Sequence, residues 1–119
     1  MAVNDDLVKI IRMEHTSHLT SEKMDAGETV LRQLPVTKLD FEKPHIMIDV
    51  ANAYQKAMGN ESIKAEPSIE EEAAEAIIRY YKEELGLDLR NDVTFNDAHA
   101  IADMANAYES AKKYLNENS

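Results

Sequence analysis

A 17-residue segment occurs twice in this chain, and this self-similarity constrains the fold more than any other feature of the sequence. Residues 41–57 align with residues 95–111 without a gap, and eight of the 17 positions are identical. The identical pairs are Phe41/Phe95, His45/His99, Asp49/Asp103, Ala51/Ala105, Asn52/Asn106, Ala53/Ala107, Tyr54/Tyr108 and Ala57/Ala111. Most of the differing positions exchange one apolar residue for another. Two helices with the same pattern of faces are therefore predicted.

The segments that precede the two copies also match, although less strongly. Residues 21–32 align with residues 68–79, with Ala26/Ala73, Glu28/Glu75 and Arg32/Arg79 among the identical pairs. Each unit then reads as a helix, a loop and a second helix. A lone hairpin of this kind cannot bury its apolar stripe. Two copies can pack on each other about a pseudo-two-fold axis and form a four-helix core.

The fold class follows from this pattern and from the scarcity of turn residues. The 119 residues include only three glycines and three prolines, which favours a few long helices over a sandwich or barrel. We expect one all-α domain over 1–119, a small bundle of about five helices. Its parts are an N-terminal helix at 5–15, repeat unit one at 21–58, a linker at 59–67 and repeat unit two at 68–116.

Local signals suggest where the later helices begin and end. A third helix is predicted from about Phe41 with Asp40 as its cap. The fourth is predicted from Ser68, which forms a capping box with Glu71, to about Leu85. The fifth is predicted from about Phe95. The run 92–95 is the only strand-like one, and it has no partner.

Helical periodicity assigns the repeated residues to two faces. The apolar face is formed by Met47, Val50, Ala51, Tyr54 and Ala57 in the third helix, and by Ile101, Met104, Ala105, Tyr108, Ala111 and Leu115 in the fifth. The opposite face carries a polar row in each helix, namely His45, Asp49 and Asn52 in unit one and His99, Asp103 and Asn106 in unit two.

Packing explains the repeated alanines and tyrosines, because alanine lets helices approach and tyrosine buries its ring. A surface pair one helical turn apart is the simplest interpretation of His-x-x-x-Asp. The recurrence of the same three polar residue types also favours a partner-binding row or a subunit interface. A metal shared by the two rows would require the rows to face each other, and the predicted apolar faces argue against that arrangement.

The formal net charge of −10 restricts the partners. Nucleic acid and anionic membrane surfaces are disfavoured, and no apolar run is long enough to span a bilayer. The charge is typical of a soluble protein. It also fits an acidic face, with Glu71, Glu72 and Glu75, that binds a basic protein partner. The absence of cysteine excludes disulfides and thiolate metal sites, and is compatible with the cytoplasm.

One enzyme class stays open as an alternative. The pair Glu72-x-x-Glu75 resembles the paired carboxylates that hold magnesium in helical nucleotide pyrophosphohydrolases. That resemblance implies a Mg or Mn site formed by Glu72, Glu75, Asp103 and His99. Those enzymes continue with a Glu-x-x-Asp pair on the next helix, where this chain has Asp103-x-x-Asn106. A zinc site at His15-x-x-His18 would need at least one further ligand.

We therefore expect a small acidic protein-interaction or regulatory module of bacterial or phage origin, with an inhibitory or immunity-type role as one form. Its partner is a protein, and a homodimer stays open. The expected partner-binding residues are the two polar rows together with Glu71, Glu72 and Glu75. No catalytic residue and no cofactor are expected, and Mg or Mn belongs only to the hydrolase alternative.

Overall fold

The computed structural model of the chain describes residues 5–16, 19–34, 39–89 and 97–118, with the side chains of residues 15 and 16 left out. These residues form five α-helices: α1 Asp5–Thr16, α2 Ser21–Gln33, α3 Pro44–Ala57, α4 Pro67–Arg79 and α5 Ala98–Glu117. No strand occurs in the described ranges, so the all-α prediction is confirmed. The run 92–95, including Phe95, lies outside them.

Two helices start at side-chain caps. Thr20 Oγ1 accepts a hydrogen bond from Lys23 N at 3.3 Å at the start of α2. Asp97 Oδ1 accepts one from Ala100 N at 2.8 Å at the start of α5. Each bond satisfies a backbone donor that has no partner within the helix.

The starts of α3 and α4 differ from the predicted ones, because each helix begins at a proline. The turn before α3 is fixed by Asp40 Oδ1, which accepts a hydrogen bond from Glu42 N at 3.0 Å. The helix itself starts at Pro44 and not at Phe41. In α4, Pro67 occupies the first turn and no side chain caps the helix, so the capping box predicted at Ser68 was wrong. Proline suits this position because a first-turn N–H would lack a helical acceptor.

The fourth helix does not continue as a regular α-helix to Leu85. It changes at Tyr80 into a π-helical turn, Tyr80–Glu84, closed by a hydrogen bond of 3.3 Å from Leu85 N to Tyr80 O. Gly86 then adopts a positive φ of 66° and ends the segment. Tyr80 and Tyr81, although adjacent in sequence, are both buried.

The fifth helix is the centre of the bundle. It packs against α1, α2, α3 and α4, whereas α3 packs against α2, α4 and α5. At Gly27 of α2, an added Cβ would collide with the carbonyl oxygen of Ala98 in α5. A glycine that only weakens the isolated helix therefore permits close contact with the central helix.

The predicted apolar faces of α3 and α5 are largely confirmed. In α5, all the predicted members are buried except Leu115, which is half-buried. In α3, Met47, Val50, Ala51 and Tyr54 are buried, but Ala57 is exposed. Ala57 lies in the last turn of α3, and its match Ala111 lies in the middle of a longer helix.

The segment between α3 and α4 is attached to α5 through a partly buried polar cluster. Glu109 accepts hydrogen bonds from Ile63 N at 2.6 Å and from Ser62 Oγ at 3.0 Å. The Lys112 side chain is fully buried, with its Nζ 3.3 Å from Ser62 Oγ and 3.6 Å from Glu109 Oε2. The same Nζ lies 5.0 Å from the centre of the Tyr108 ring, at cation–π distance.

Among the described helices, none combines the length and the apolar character that a membrane span requires.

Candidate functional site

The two polar rows of the repeat have different environments. In α3, His45, Asp49 and Asn52 are exposed, as predicted. In α5, His99 is exposed and Asn106 is half-buried, but Asp103 is only 5% exposed. Asp103 keeps its predicted side of the helix, but the expectation that it lies on the surface was wrong. The reason is that α5 is surrounded by four helices, so more of its circumference is buried than one apolar stripe implies.

His99 and Asp103 form a close pair on adjacent turns of α5. Nδ1 of His99 lies 3.0 Å from Oδ2 of Asp103. The imidazole is 61% exposed, and the carboxyl side chain is 6% exposed. A buried carboxylate thus fixes the orientation of an exposed imidazole, an arrangement that proteins use for general bases and for metal-ligating histidines. No nucleophile is evident beside this pair in the described part of the chain.

Asp103 lies where the helices of the bundle meet. Burial raises the pKa of its carboxyl to about 6, against the attraction of His99, while Asp97, Glu14 of α1 and Lys23 of α2 act on it more weakly. Its charge also contributes to raising the pKa of Tyr54 in α3 and of Tyr81 in the π-helical turn, where burial is the main cause. The charge of Asp103 therefore acts on groups of α1, α2, α3 and the π-helical turn.

The third member of the α5 row links the two units. Asn106 Nδ2 donates a hydrogen bond of 3.1 Å to the hydroxyl of Tyr54 in α3. The matched bond, from Asn52 to Tyr108, is replaced by a contact of 2.9 Å between Ser62 Oγ and Asn52 Oδ1. Within the described residues, no hydrogen-bond partner reaches the buried hydroxyl of Tyr108. The two copies of the row therefore make different contacts.

The first helix packs on α5 and contacts it at Ser110 and Tyr114, which continue the side of the polar row toward the C-terminal end. Leu7 and Ile11 of α1 are buried. Glu14 accepts a hydrogen bond of 2.8 Å from Ser110, and the Tyr114 hydroxyl lies 3.5 Å from Asp6 Oδ2. The N-terminal end of α1 thus meets the C-terminal part of α5, so the two helices run antiparallel. Among the described residues, no helix covers the matched side of α3 in this way.

Three carboxylates lie on the exposed side of α4. Glu71, Glu72 and Glu75 are all exposed. Glu75 borders an open cleft of about 380 Å³, lined by Glu42, Pro44, Glu75, Ile78, Arg79, Lys82 and Glu83. Lys82 Nζ lies 2.7 Å from Glu42 Oε1 and connects the π-helical turn to the segment before α3. Both apolar and charged side chains line this cleft, so it suits a side chain of a partner protein.

A second open cleft, of about 410 Å³, separates α1 from the π-helical turn. It is lined by Asp5, Val8, Lys9, Arg12, Arg79, Tyr80, Glu83 and Glu84. Arg12 Nη2 lies 3.7 Å from Glu84 Oε2 across it. The positive and negative charges of the lining balance, so the cleft does not single out an anionic or a cationic ligand.

The four residues of the hydrolase alternative do not lie together in one site. Glu75 borders the cleft beside α3, whereas Asp103 lies near Glu14 of α1 and Lys23 of α2. In the part of the chain that the structure describes, no group of three or more His, Asp or Glu side chains is arranged to hold a metal ion. The side chains of His15 and His18 lie outside the described residues.

Sequence reasoning missed the buried pair Glu109 and Lys112, and it missed the contact of Glu14 with Ser110. One signal was available for the pair. The repeat places Gln55 opposite Glu109 and Met58 opposite Lys112, so both charges replace residues without charge. When an apolar residue of one copy is matched by lysine in the other, a buried charge with a nearby acid is indicated. This signal does not identify Ser62 as the third residue of the polar cluster.

No protein-family model, curated protein or solved structure significantly matches this chain.

Proposed function

We propose that this protein is a helical protein-interaction module whose partner binds across the outward sides of α3 and α4. The binding residues are His45, Asp49 and Asn52 of α3 with Glu71, Glu72 and Glu75 of α4. One observation carries the proposal: within the bundle Asp103 of the α5 row is buried and Asn106 bonds to α3, but all three residues of the matching α3 row are exposed. A regulatory, inhibitory or immunity-type role is the form of activity that such a module would have.

The proposal includes an internal duplication, with the two hairpins related by an approximate dyad. Its support is the gapless match of residues 41–57 with 95–111 together with the packing of α3 and α5 on each other. Each of these two helices also packs against both α2 and α4. Tyr54 and Tyr108 are both fully buried, as matched positions about a dyad would be. Among the described helices, none packs on α3 as α1 packs on α5, so α1 departs from the approximate dyad.

Charge defines the kind of partner. The chain carries a net charge of −10, and the proposed surface contributes four exposed carboxylates and one lysine, Lys56. A protein with a basic patch would be attracted to it, whereas nucleic acid and anionic lipid would be repelled. The cytoplasm of a bacterium, before or after phage infection, is the proposed setting.

Site-specific photo-crosslinking in the cells that express the protein tests this proposal. A photoreactive amino acid is placed at Asn52 of α3 and, as a control, at Lys113, which is exposed on α5. We expect a discrete heavier adduct from position 52 and none from position 113. Asp49→Arg should remove most of that adduct. Equal labelling from both positions, no adduct, or an adduct with a second copy of this chain would each contradict the proposal.

The metal-dependent hydrolase stays a second hypothesis that no contact in the structure specifically favours. It predicts thermal stabilisation by Mg²⁺ or Mn²⁺ and loss of turnover in Glu75→Gln. The interaction module predicts neither effect. A thermal shift with and without these cations therefore separates the two hypotheses before a partner or a substrate is known.

A further inference from the structure

We propose that the exposed row of α3 receives an amphipathic helix of the partner, in the manner in which α5 receives α1. This inference rests on the proposed function, because it names the structural class of the partner. It commits to one occupant, a helix from a different protein with two apolar residues four positions apart and a carboxylate three positions after the second.

The packing of α1 on α5 is the template for this pattern. Leu7 and Ile11 lie four positions apart in α1 and are both buried, with Ile11 fully inaccessible. Glu14 follows three positions later and accepts the hydrogen bond of Ser110 at 2.8 Å. Side chains at such spacings lie on one face of a helix. In this helix of 12 residues, two apolar anchors and the Glu14 contact therefore lie on one face, and Asp6 and Arg12 add further polar contacts to the bundle.

The matched face of α3 keeps the small residues that allow a helix to approach. Ala107 and Ala111 of α5 are fully buried, and their matches Ala53 and Ala57 are half-buried and exposed, respectively. The half-buried Ile46 lies two turns before Ala53 and about one turn before Asp49, and offers an apolar contact for the end of a docked helix. This face can therefore bury apolar anchors of the size of leucine and isoleucine.

Charge complementarity explains why the expected partner helix includes a carboxylate. The residue that matches Ser110 is Lys56, which is exposed near the end of α3. A glutamate in the place of Glu14 would meet an ammonium group instead of a hydroxyl, and the contact would become an ion pair. The α3 face thus favours an acidic residue as the third anchor of the docked helix, which the α5 face does not require. The rest of the partner protein is expected to be basic.

A second copy of this chain is a poorer occupant than a foreign helix. Its α1 is already packed on its own α5 through Leu7, Ile11 and Glu14. Release of α1 would expose these two buried apolar side chains to water before any new contact formed. A foreign helix carries no such cost.

An NMR titration of the ¹⁵N-labelled full chain tests the inference. The probe is a synthetic, helix-stabilised peptide with the sequence of residues 5–16, which carries the Leu, Ile and Glu pattern. We expect shift changes along His45, Asp49, Asn52 and Lys56 with saturation below about 1 mM. Ala57→Arg should weaken binding at least about tenfold, because the added side chain covers the exposed alanine. Lys113→Ala, on the exposed side of α5, is the matched control and should leave binding unchanged.

A charge exchange tests the third anchor. Lys56→Glu should weaken binding several-fold, and a peptide with Glu14→Lys should recover the loss with that variant. Shift changes confined to α5 around Ser110 would mean that the peptide only displaces α1, and would overturn the inference. Absence of any shift change, or formation of a dimer of the chain in place of a peptide complex, would also overturn it.

The two proposals fail in distinguishable ways. If Asn52 crosslinks to a cellular protein but the peptide does not bind, the interaction module stands and the helical class of its partner is wrong. If the peptide binds at α3 but no cellular protein is crosslinked there, the α3 face accepts helices and the proposed function fails.

Discussion

Tyr54 and Tyr108 occupy matched positions of the repeat and are both fully buried, yet their hydroxyl groups have different surroundings. The Tyr54 hydroxyl accepts a hydrogen bond from Asn106, whereas no partner in the described residues reaches the Tyr108 hydroxyl. Burial raises the pKa of both groups, so both stay protonated at neutral pH. The pair therefore offers an internal comparison of a satisfied and an unsatisfied buried hydroxyl.

Removing each hydroxyl should have opposite effects on stability. Tyr54→Phe should lower the free energy of unfolding by about 1 kcal/mol, because it removes a hydrogen bond and leaves the Asn106 amide without this acceptor. Tyr108→Phe should leave it unchanged or raise it by up to about 1 kcal/mol, because it removes a buried polar group without a partner. Urea denaturation of both variants checks this, and equal losses in the two variants would contradict it.

Asp103 should make stability depend on pH in an unusual direction. Burial raises its pKa from 3.8 to about 6, so the folded protein holds this proton more tightly than the unfolded chain does. Its contribution to the free energy of unfolding is then fully present below pH 4 and is lost as the pH rises to about 6. Relative to the wild type, Asp103→Asn should gain on the order of 2 to 3 kcal/mol across that window.

Urea denaturation between pH 4 and pH 7 measures this difference, in which other groups common to both proteins cancel. Asp49→Asn is the matched control, because Asp49 is exposed at the equivalent position. Its difference from the wild type should stay flat over the same pH range. A flat difference for Asp103→Asn as well would show that the Asp103 carboxyl is hydrated in solution.

At the scale of the helix, α2 is shaped by its contact with α5. Alanine is a better helix former than glycine by about 1 kcal/mol, so propensity alone predicts that Gly27→Ala stabilises the protein. The structure predicts the reverse, because the new Cβ would collide with the backbone carbonyl of Ala98. We expect a net loss of about 1 to 3 kcal/mol by urea denaturation. Glu28→Ala, an exposed neighbour, should change stability by less than about 0.5 kcal/mol.

The linker depends on the charge pair of α5. Lys112 is fully buried and Glu109 is its nearest acid, so Glu109→Gln should cost about 2 to 4 kcal/mol by leaving a buried ammonium without its counter-charge. The double variant Glu109→Gln with Lys112→Met reproduces the residues of unit one, Gln55 and Met58. It should recover at least half of that loss, as measured by urea denaturation. A double variant less stable than the single one would show that Lys112 acts through packing alone.

For the whole molecule, the excess of negative charge predicts that self-repulsion lowers stability. The net charge is −10, and the ion pairs Arg12–Glu84 and Lys82–Glu42 have largely solvent-accessible members and contribute little. Raising NaCl from about 20 mM to about 500 mM screens the repulsion and should raise the midpoint of thermal unfolding. KCl should act equally, which excludes a specific sodium site. A falling midpoint would mean that attractive pairs dominate.

The sequence determined the all-helical class, the number of helices and the inward faces of α3 and α5, because these follow from a period of 3.6 residues and from few turn residues. It also identified the exposed row of α3 and the exposed carboxylates of α4. Start points were less predictable, since Pro44 and Pro67 displaced the caps expected at Asp40 and Ser68. Local patterns compete at helix ends, and the first-turn proline prevailed.

Only the tertiary structure decided that α1 packs on α5 and not on the matching side of α3. Periodicity describes each helix on its own, so it treats two matching helices alike and cannot show which one a third helix covers. The four helices around α5 buried Asp103, the packing of α5 on α3 joined Asn106 to Tyr54, and His45, Asp49 and Asn52 stayed exposed. The physical reason is that burial is a property of neighbours, and identical residues acquire different energies when only one copy is removed from water.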